Sequence, residues 1–231
     1  MFLKCLGSSS SGNCYLLISK NETLVIEAGV SFKEVKIALN HSIDNIVGCL
    51  VSHSHLDHSK YMSEYVKAGI PVMFPNFPKH AIPNKNVGKF IVTPFDLIHD
   101  VPIYGFHIYH PETGNILFIT DTGEIPYKFA NLNQVIIEAN YDEDIVYELM
   151  MQDKLNARGQ NRVEASHLSI QKTLQFLSEN DLSKVQNIVL THLSNGSSNA
   201  KDFQKRTELA TGKTVTIADK GIEIDFNLNP F

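Results

Sequence analysis

Several features that would place a protein in a special class are scarce in this sequence. Only three of its 231 residues are cysteines, Cys5, Cys14 and Cys49, and none has the spacing of a metal-binding pair. No stretch approaches the roughly twenty apolar residues needed to cross a bilayer. The first residues also lack the layout of a signal peptide. We therefore expect a cytoplasmic protein with reduced, buried thiols and no membrane partner.

Basic charge is also scarce, because 20 lysines and arginines face 25 acidic residues and the formal net charge is −5. A protein that grips long nucleic acid usually has a basic patch, since neutralised phosphates supply most of the affinity. The one modest cluster, Lys201, Lys205 and Arg206, has the spacing of an ordinary solvated helix face. The charge balance mildly favours a small nucleotide over a long polymer.

The length and composition suit one globular domain that spans residues 1–231. Hydrophobic residues make up 43% and charged residues 19%, which is enough apolar material for a core. No linker, low-complexity run or short repeat divides the chain.

The order of apolar runs predicts an α/β protein. Strands are expected near 2–6, 14–19, 23–27, 46–52, 103–110, 115–120, 135–139 and 185–191, and helices near 32–39, 59–68, 142–154, 170–179 and 200–210. Ser31 and Glu34 form a capping box that fixes the first helix. The polar segment from Asn156 to Arg162, with Gly159 inside it, is expected to be a loop near the site. Two mixed sheets packed face to face, with helices outside, satisfy this pattern.

The densest chemical signal is Ser52-His53-Ser54-His55-Leu56-Asp57-His58, directly after an apolar strand. Imidazole nitrogens and carboxylate oxygens suit Zn²⁺ and its neighbours at neutral pH. Four candidate ligands in six residues exceed what one catalytic ion with an open position can use, which suggests two metals. A solvated polar turn with surplus histidines fits this density and placement poorly. The segment therefore predicts a metal site that carries chemistry.

The pattern His-x-His-x-Asp-His after a hydrophobic strand resembles the metallo-β-lactamase fold hydrolases, over nearly the whole chain. That resemblance implies an αββα sandwich and further ligands at later strand ends, where the chain has His99-Asp100, Asp121 and His192. It implies one ion on His53, His55 and His99. A second would bind Asp57, His58 and His192, with Asp121 bridging the two. The ions are expected to be Zn²⁺, with Mn²⁺ as the alternative.

Within that group the chain is most similar to the tRNase Z-like phosphodiesterases and their single-domain, exonuclease-like relatives. The similarity is carried by the opening turn Gly7 to Cys14, by Glu138-Ala139-Asn140 and by Ser166-His167-Leu168-Ser169. The resemblance implies that His167 protonates the leaving group. No long insertion resembles the tRNA-gripping arm, which argues against tRNA as the substrate.

Other residues have weaker or modified roles. Glu27 stands where many members have aspartate, and the resemblance implies that it supports a ligand histidine from behind. Two turns rich in Ser, Gly and Asn could supply phosphate-binding amides, with Ser11 and Asn13 in one and Ser194 and Asn195 in the other. Either is equally an ordinary connection. Four histidines lack motif positions and are not expected to be ligands: His41, His80, His107 and His110.

The leading hypothesis is a dinuclear phosphodiesterase acting on a nucleotide phosphodiester, with a small cyclic nucleotide slightly preferred. The resemblance includes phage enzymes that degrade cyclic nucleotides to counter bacterial defences. Asp57 would orient the attacking water as well as bind metal, and His167 would act as general acid. The nearest rival is a DNA or RNA nuclease of the same fold, and a homodimer is compatible with either. Thioester or lactam hydrolysis would not need His167, and a non-catalytic metal scaffold would not need every ligand type.

Overall fold

The computed structural model describes residues 1–75 and 85–228. Thirteen strands and seven helices are described within these ranges. The first sheet contains β1 (Phe2–Gly7), β2 (Cys14–Ile18), β3 (Thr23–Ile26), β4 (Ile46–Leu50), β5 (Val72–Met73) and β13 (Glu223–Asp225). Its strand order is β13-β1-β2-β3-β4-β5. The pair β3 and β4 is parallel, whereas β1, β2 and β3 are antiparallel.

The second sheet contains seven strands in the order β12-β11-β10-β9-β8-β7-β6. They are β6 (Lys85–Val87), β7 (Phe90–Asp96), β8 (Tyr104–His110), β9 (Gly114–Ile119), β10 (Leu132–Glu138), β11 (Asn187–Thr191) and β12 (Thr214–Ile217). The strands β9 to β12 run parallel and β6 to β9 run antiparallel. Both sheets are mixed, as the sequence predicts.

Alternation along the strands explains how the two sheets stack. In β3, Leu24 and Ile26 face the cluster between the sheets, while Val25 packs with α1 (Phe32–Ala38) and α3 (Met62–Lys67). In β10, Ile136 faces the same inner cluster, and Val135 points to the opposite side. Each sheet therefore buries apolar side chains on both of its faces, and removing this apolar area from water stabilises the layered arrangement. The layers are therefore helix, sheet, sheet and helix, which confirms the predicted αββα sandwich.

The second half contains four helices: α4 (Glu143–Met151), α5 (Ala157–Ser166), α6 (Ile170–Ser178) and α7 (Ala200–Thr211). Of these, α6 and α7 cover the outer face of the second sheet. Phe176 and Leu177 of α6 and Phe203 of α7 pack into the cluster that contains Val135. None of the helices in the described residues is both long and apolar enough to span a membrane.

The local signals succeed and fail for identifiable reasons. Ser31 caps α1 as predicted, since its Oγ accepts the Glu34 N–H at 3.3 Å, but the Glu34 carboxylate binds Lys220 instead of closing the capping box. The expected helix at 59–68 corresponds to α3, and a further short helix, α2 (Leu56–Ser59), lies before it within the histidine-rich segment.

The predicted loop from Asn156 to Arg162 is wrong, because α5 occupies most of it. Asn156 Oδ1 accepts the Gly159 N–H at 2.9 Å and caps this helix. Gly159 therefore falls in the first turn, near the capped end of the helix.

Gly29 occupies the tightest place in this scaffold. A Cβ atom built on it would lie 1.7 Å from the Asp57 carbonyl oxygen and 2.6 Å from the Asn13 nitrogen. Around it, Asn13 N donates to Asp57 O at 2.7 Å and Gly29 N donates to Asn13 O at 3.0 Å. The absence of a side chain lets the β3 end, the opening turn and the histidine-rich loop meet.

Gly29→Ala should therefore displace backbone, which cannot rotate away as a side chain could, and should lower the free energy of unfolding by at least about 2 kcal/mol. Urea denaturation followed by circular dichroism measures this. Gly196→Ala is the matched control, because a Cβ at Gly196 meets nothing within 4 Å. Equal stability of the two variants would contradict the close approach.

Candidate metal centre

The carboxyl ends of the parallel strands deliver the chemical groups to one place. Asp121, Glu138 and His192 lie at or just beyond the ends of β9, β10 and β11, whose parallel registers put these ends at one edge of the sheet. Glu27 and His53 follow β3 and β4, which are also parallel. Such strand ends are the usual location of ligand sites in α/β proteins.

The first group of side chains gathers three imidazoles and one carboxylate. His55 Nδ1 lies 3.0 Å from His53 Nε2 and 3.2 Å from His99 Nε2. Asp121 Oδ2 lies 3.6 Å from His53 Nε2. One ligand atom from each of these four residues falls within 4.8 Å of all the others.

A second group lies directly beside the first. His58 Nε2 is 3.3 Å from Asp57 Oδ2 and 3.2 Å from Asp121 Oδ2, and His192 Nε2 is 3.3 Å from Asp57 Oδ2. These four residues again offer ligand atoms within 4.8 Å of one another. Asp121 belongs to both groups. The structure thus brings together all seven residues that the resemblance implies as ligands, and a third such group joins Asp121 and His192 to Glu138 and His167. Their binding of metal stays a prediction.

Buried neighbours hold several of these rings from behind. Glu27 Oε1 lies 3.4 Å from His58 Nδ1, and its Oε2 accepts the Ser52 N–H at 3.2 Å. Ser52 Oγ lies 2.8 Å from His53 Nδ1. Ser52 therefore engages Nδ1 of His53, whereas Nδ1 of His58 faces Glu27 without a hydrogen bond. The Nε2 atoms of both rings face the centre, as they do in metal-binding histidines whose Nδ1 points to a carboxylate or hydroxyl behind.

The donor set fits a divalent cation of the zinc type. Three imidazole nitrogens converge at 3.0–3.2 Å in the first group, and neutral imidazoles cannot all donate protons to one another. Burial, followed by repulsion from His58, lowers the pKa of His53 to about 2, so its lone pair stays available at neutral pH. Nitrogen and carboxylate ligands in this number are suited to Zn²⁺.

The carboxylates of the centre are held ionised. Burial alone would raise the pKa of Asp121, but the nearby His58 and His192 outweigh it and hold that pKa well below the ordinary value. Burial would likewise raise the pKa of Asp57, and hydrogen bonds from His192 and His58 bring it down instead. The centre therefore presents negative charge that a cation can neutralise.

His167 and Glu138 form a pair at the edge of the second group. His167 Nδ1 lies 2.7 Å from Glu138 Oε1, while Glu138 Oε2 accepts the Leu168 N–H at 3.0 Å. Burial would lower the pKa of His167, but the Glu138 carboxylate outweighs it and raises that pKa. Glu138 itself is buried, and His167 is half-buried. The imidazole is therefore fixed by Nδ1, which leaves Nε2 for another partner.

Three residues of the centre adopt left-handed backbone conformations. Glu27, Asp121 and His192 have φ values of 69°, 47° and 55°. Non-glycine residues rarely adopt positive φ, and such strain is concentrated at functional sites. Each lies just after a strand, where the chain must turn sharply to aim its side chain inward.

Comparison with known proteins agrees with this geometry. Residues 9–72 match the sequence profile of the metallo-beta-lactamase superfamily. The chain is 24% identical to exodeoxyribonuclease WalJ of Streptococcus pneumoniae over 251 aligned positions, which cover 96% of this chain and 91% of the relative. It superposes on the metallo-beta-lactamase fold protein YhfI from Bacillus subtilis with a TM-score of 0.71 at 14% identity, covering 97% and 99% of the two chains.

The chain has the metallo-β-lactamase fold. The short form of human tRNase Z also superposes, with a TM-score of 0.62 at 16% identity and coverage of 98% and 99%. The resemblance read from the histidine motif is therefore confirmed. The metallo-β-lactamase fold is associated with divalent metal binding, in agreement with the cluster of ligands.

The two Ser, Gly and Asn turns border the candidate metal centre in different ways. Asn13 is buried, with Nδ2 3.0 Å from His58 Nε2 and 3.3 Å from the Asp57 carbonyl oxygen. Ser11 lines a cavity of about 300 Å³ beside Gly12 and Gly29. Ser194 N donates to Asn140 O at 2.8 Å, and Asn195 is exposed.

Four residues that contact the histidines of the centre, Ser8, Ser52, Glu138 and Asn140, lie in motifs noted in the sequence, but the sequence assigned them no such role. Ser8 Oγ accepts the His192 N–H at 3.0 Å, and Asn140 Nδ2 contacts both His192 Nδ1 and His192 O. Glu138 contacts the ring of His167, and Ser52 contacts the ring of His53. All four are polar residues at or near the end of an apolar strand, as the sequence shows at Glu138-Ala139-Asn140. The sequence does not reveal which histidine each of them contacts.

The remaining histidines lie elsewhere, among the described residues. His110 Nε2 binds buried Glu22 at 3.0 Å, His107 stacks on Phe129, and His41 is exposed. His80 lies outside the described residues.

Removing the carboxylate common to both groups should empty the centre. Asp121→Asn keeps a side chain that tolerates φ of 47°, so the change tests charge more than backbone. We expect about two divalent ions per chain in the wild type and loss of tight binding of both in the variant. Elemental analysis after gel filtration measures the content, with exposed Asp44→Asn as control. Retention of both ions would rule out the bridging role.

Proposed function

We propose that this protein is a metal-dependent phosphodiesterase that hydrolyses a nucleotide phosphodiester. The observation that carries the proposal is the His167–Glu138 pair at 2.7 Å, placed against two ligand groups that share Asp121. A fixed proton donor beside a dinuclear donor set suits a reaction with a poor, alkoxide leaving group. The nuclease relatives support the same class.

Two Zn²⁺ ions fit the proposed centre, with Mn²⁺ as the alternative. His53, His55 and His99 would hold one ion and Asp57, His58 and His192 the other, while Asp121 would bridge them. When bound, such ions polarise the phosphoryl oxygens and lower the pKa of water. Because residues of both sheets supply the ligands, we propose that residues 1–231 act as one domain.

The chain's own residues would then divide the remaining work. The Asp57 carboxylate, held ionised by His58 and His192, would orient the attacking water. His167 would donate the proton on Nε2 to the departing oxygen, because Nδ1 is engaged by Glu138. Glu138 would stabilise the protonated ring and fix its direction. A thioester or lactam hydrolase would need no such donor, so this pair argues for the phosphodiester.

Two substrates are compatible with this chemistry. A DNA end is our first candidate, because the exodeoxyribonuclease of S. pneumoniae aligns with 96% of this chain. A small cyclic nucleotide is the second, and the net charge of −5 favours it. The basic cluster on α7 adds little to a DNA surface, since Arg206 is paired with Asp142 at 2.6 Å and with Asp202 at 3.3 Å.

Matched oligonucleotides separate these candidates. We expect a linear single-stranded oligodeoxynucleotide to be shortened from an end, while the circularised form of the same sequence resists. Salt should weaken turnover of the linear strand more steeply than turnover of a cyclic mononucleotide, because the strand offers more phosphates to contact. Product length on denaturing gels, alongside cyclic mononucleotides assayed by chromatography, gives the result. Faster turnover of a cyclic mononucleotide than of the linear strand would select the second candidate.

The His167 role predicts a dependence on the leaving group. His167→Ala should keep its metal content yet lose about 10²–10⁴-fold in rate on a nucleoside leaving group. The loss should shrink for bis-p-nitrophenyl phosphate, whose leaving group needs no proton. His192→Ala is the contrasting variant and should lose metal and activity together. Equal losses on both substrates for His167→Ala, with metal retained, would assign His167 another task.

A further inference from the structure

A cavity of about 370 Å³ lies between the β9–β10 connection and α6. Six of its lining residues carry the argument: Gly123, Glu124, Tyr127, Lys172, Phe176 and Glu179. None of them belongs to the two ligand groups or to the His167–Glu138 pair. The volume is in the range of small-ligand sites.

The cavity begins beside the proton donor. Gly123 follows Asp121 by two residues, and Leu168, which also lines the cavity, follows His167 directly. Leu168 N donates to Glu138 Oε2 at 3.0 Å, and Lys172 Nζ donates to Gly123 O at 2.9 Å. The lining of the cavity is therefore tied through the Leu168 backbone to the carboxylate that also contacts His167.

An aromatic wall is available for stacking. Tyr127 is 40% exposed although its ring packs edge-on against Phe95, with centroids 5.5 Å apart. The ring of Phe129 packs against both, with its centroid 5.0 Å from that of Phe95 and 6.3 Å from that of Tyr127. A supported ring with one open face loses little conformational freedom when a planar ligand stacks on it.

The polar groups of the lining exclude a second phosphate. Glu124 and Glu179 are carboxylates, and the single lining ammonium, Lys172, already donates to a backbone carbonyl. Glu179 also lies 3.4 Å from Lys128. Acceptors surrounding an aromatic wall suit a neutral group that has a π-face and carries N–H or O–H donors, which describes a nucleoside.

We propose that this cavity is the subsite for the leaving nucleoside, with its base stacked on Tyr127. The proposal rests on the proposed phosphodiesterase function and adds which half of the substrate lies on the His167 side. In the reaction the P–O bond to this nucleoside breaks and its oxygen takes the proton from His167. Water supplies the hydroxyl that joins phosphorus, and the proton that this water releases passes to solvent, from which His167 regains its own.

Two substrates that differ only in the leaving group test the assignment. Thymidylyl-thymidine releases a nucleoside, whereas the methyl ester of thymidine 5′-monophosphate releases methanol, which needs the same proton but has no ring to stack. Tyr127→Ala should raise KM for the dinucleotide about tenfold with little change in kcat. The same variant should leave KM for the methyl ester within about twofold of wild type. Tyr127→Phe keeps the ring and should behave like wild type on both.

Controls make each outcome decisive. Tyr147→Ala removes an exposed tyrosine from α4 and should change neither KM, and thermal melts by circular dichroism establish that every variant is folded. An equal rise of KM on both substrates, or no rise on either, overturns the assignment. Should the wild type hydrolyse neither substrate, the proposed function fails. Saturation-transfer NMR with thymidine then tests the cavity alone, and binding that survives in Tyr127→Ala overturns it.

Discussion

The burial of many ionisable groups in one small volume governs this structure. Glu27, Asp121 and Glu138 are buried together with His53, His58 and His192 at the ends of two sheets. An isolated buried charge costs several kcal/mol, so such groups persist only when each is paired or binds a cation. The fold brings these groups together through three features described above. They are the left-handed backbone conformations, the close approach of three segments at Gly29, and the polar residues that contact the histidine rings from behind.

Two histidines in or beside the centre are held in different protonation states. One imidazole, His53, is held neutral by burial, whereas Glu138 favours the protonated form of His167. The same residue type is therefore kept neutral in one place and favoured as the protonated form in another. The two environments lie close together, since the ring of His99, which belongs to the same group as His53, is 6.3 Å from the ring of His167. Burial dominates at His53 and a buried carboxylate dominates at His167, so the surroundings and not the residue type set the protonation state.

Much of this arrangement was predictable from the sequence, and the rest was not for physical reasons. The strands and the layered sandwich follow from apolar alternation, and the order of His53 to His58, His99, Asp121 and His192 carries the resemblance. Glu138 could be seen only as a polar strand end, because its partner His167 is 29 residues away and nothing local records their contact. The loop expected at 156–162 failed because a single cap at Asn156 outweighed the polar composition.

The centre also draws its residues from segments that are far apart in the chain. His53 to His58 come from the edge of the first sheet, whereas His99, Asp121 and His192 come from the second. An ion bound here would close loops of tens to more than a hundred residues, as a covalent cross-link does, and would reduce the entropy of the unfolded chain accordingly. The three cysteines are all free and buried. Cross-linking by ions would therefore give this chain the kind of long-range constraint that secreted proteins obtain from disulfides.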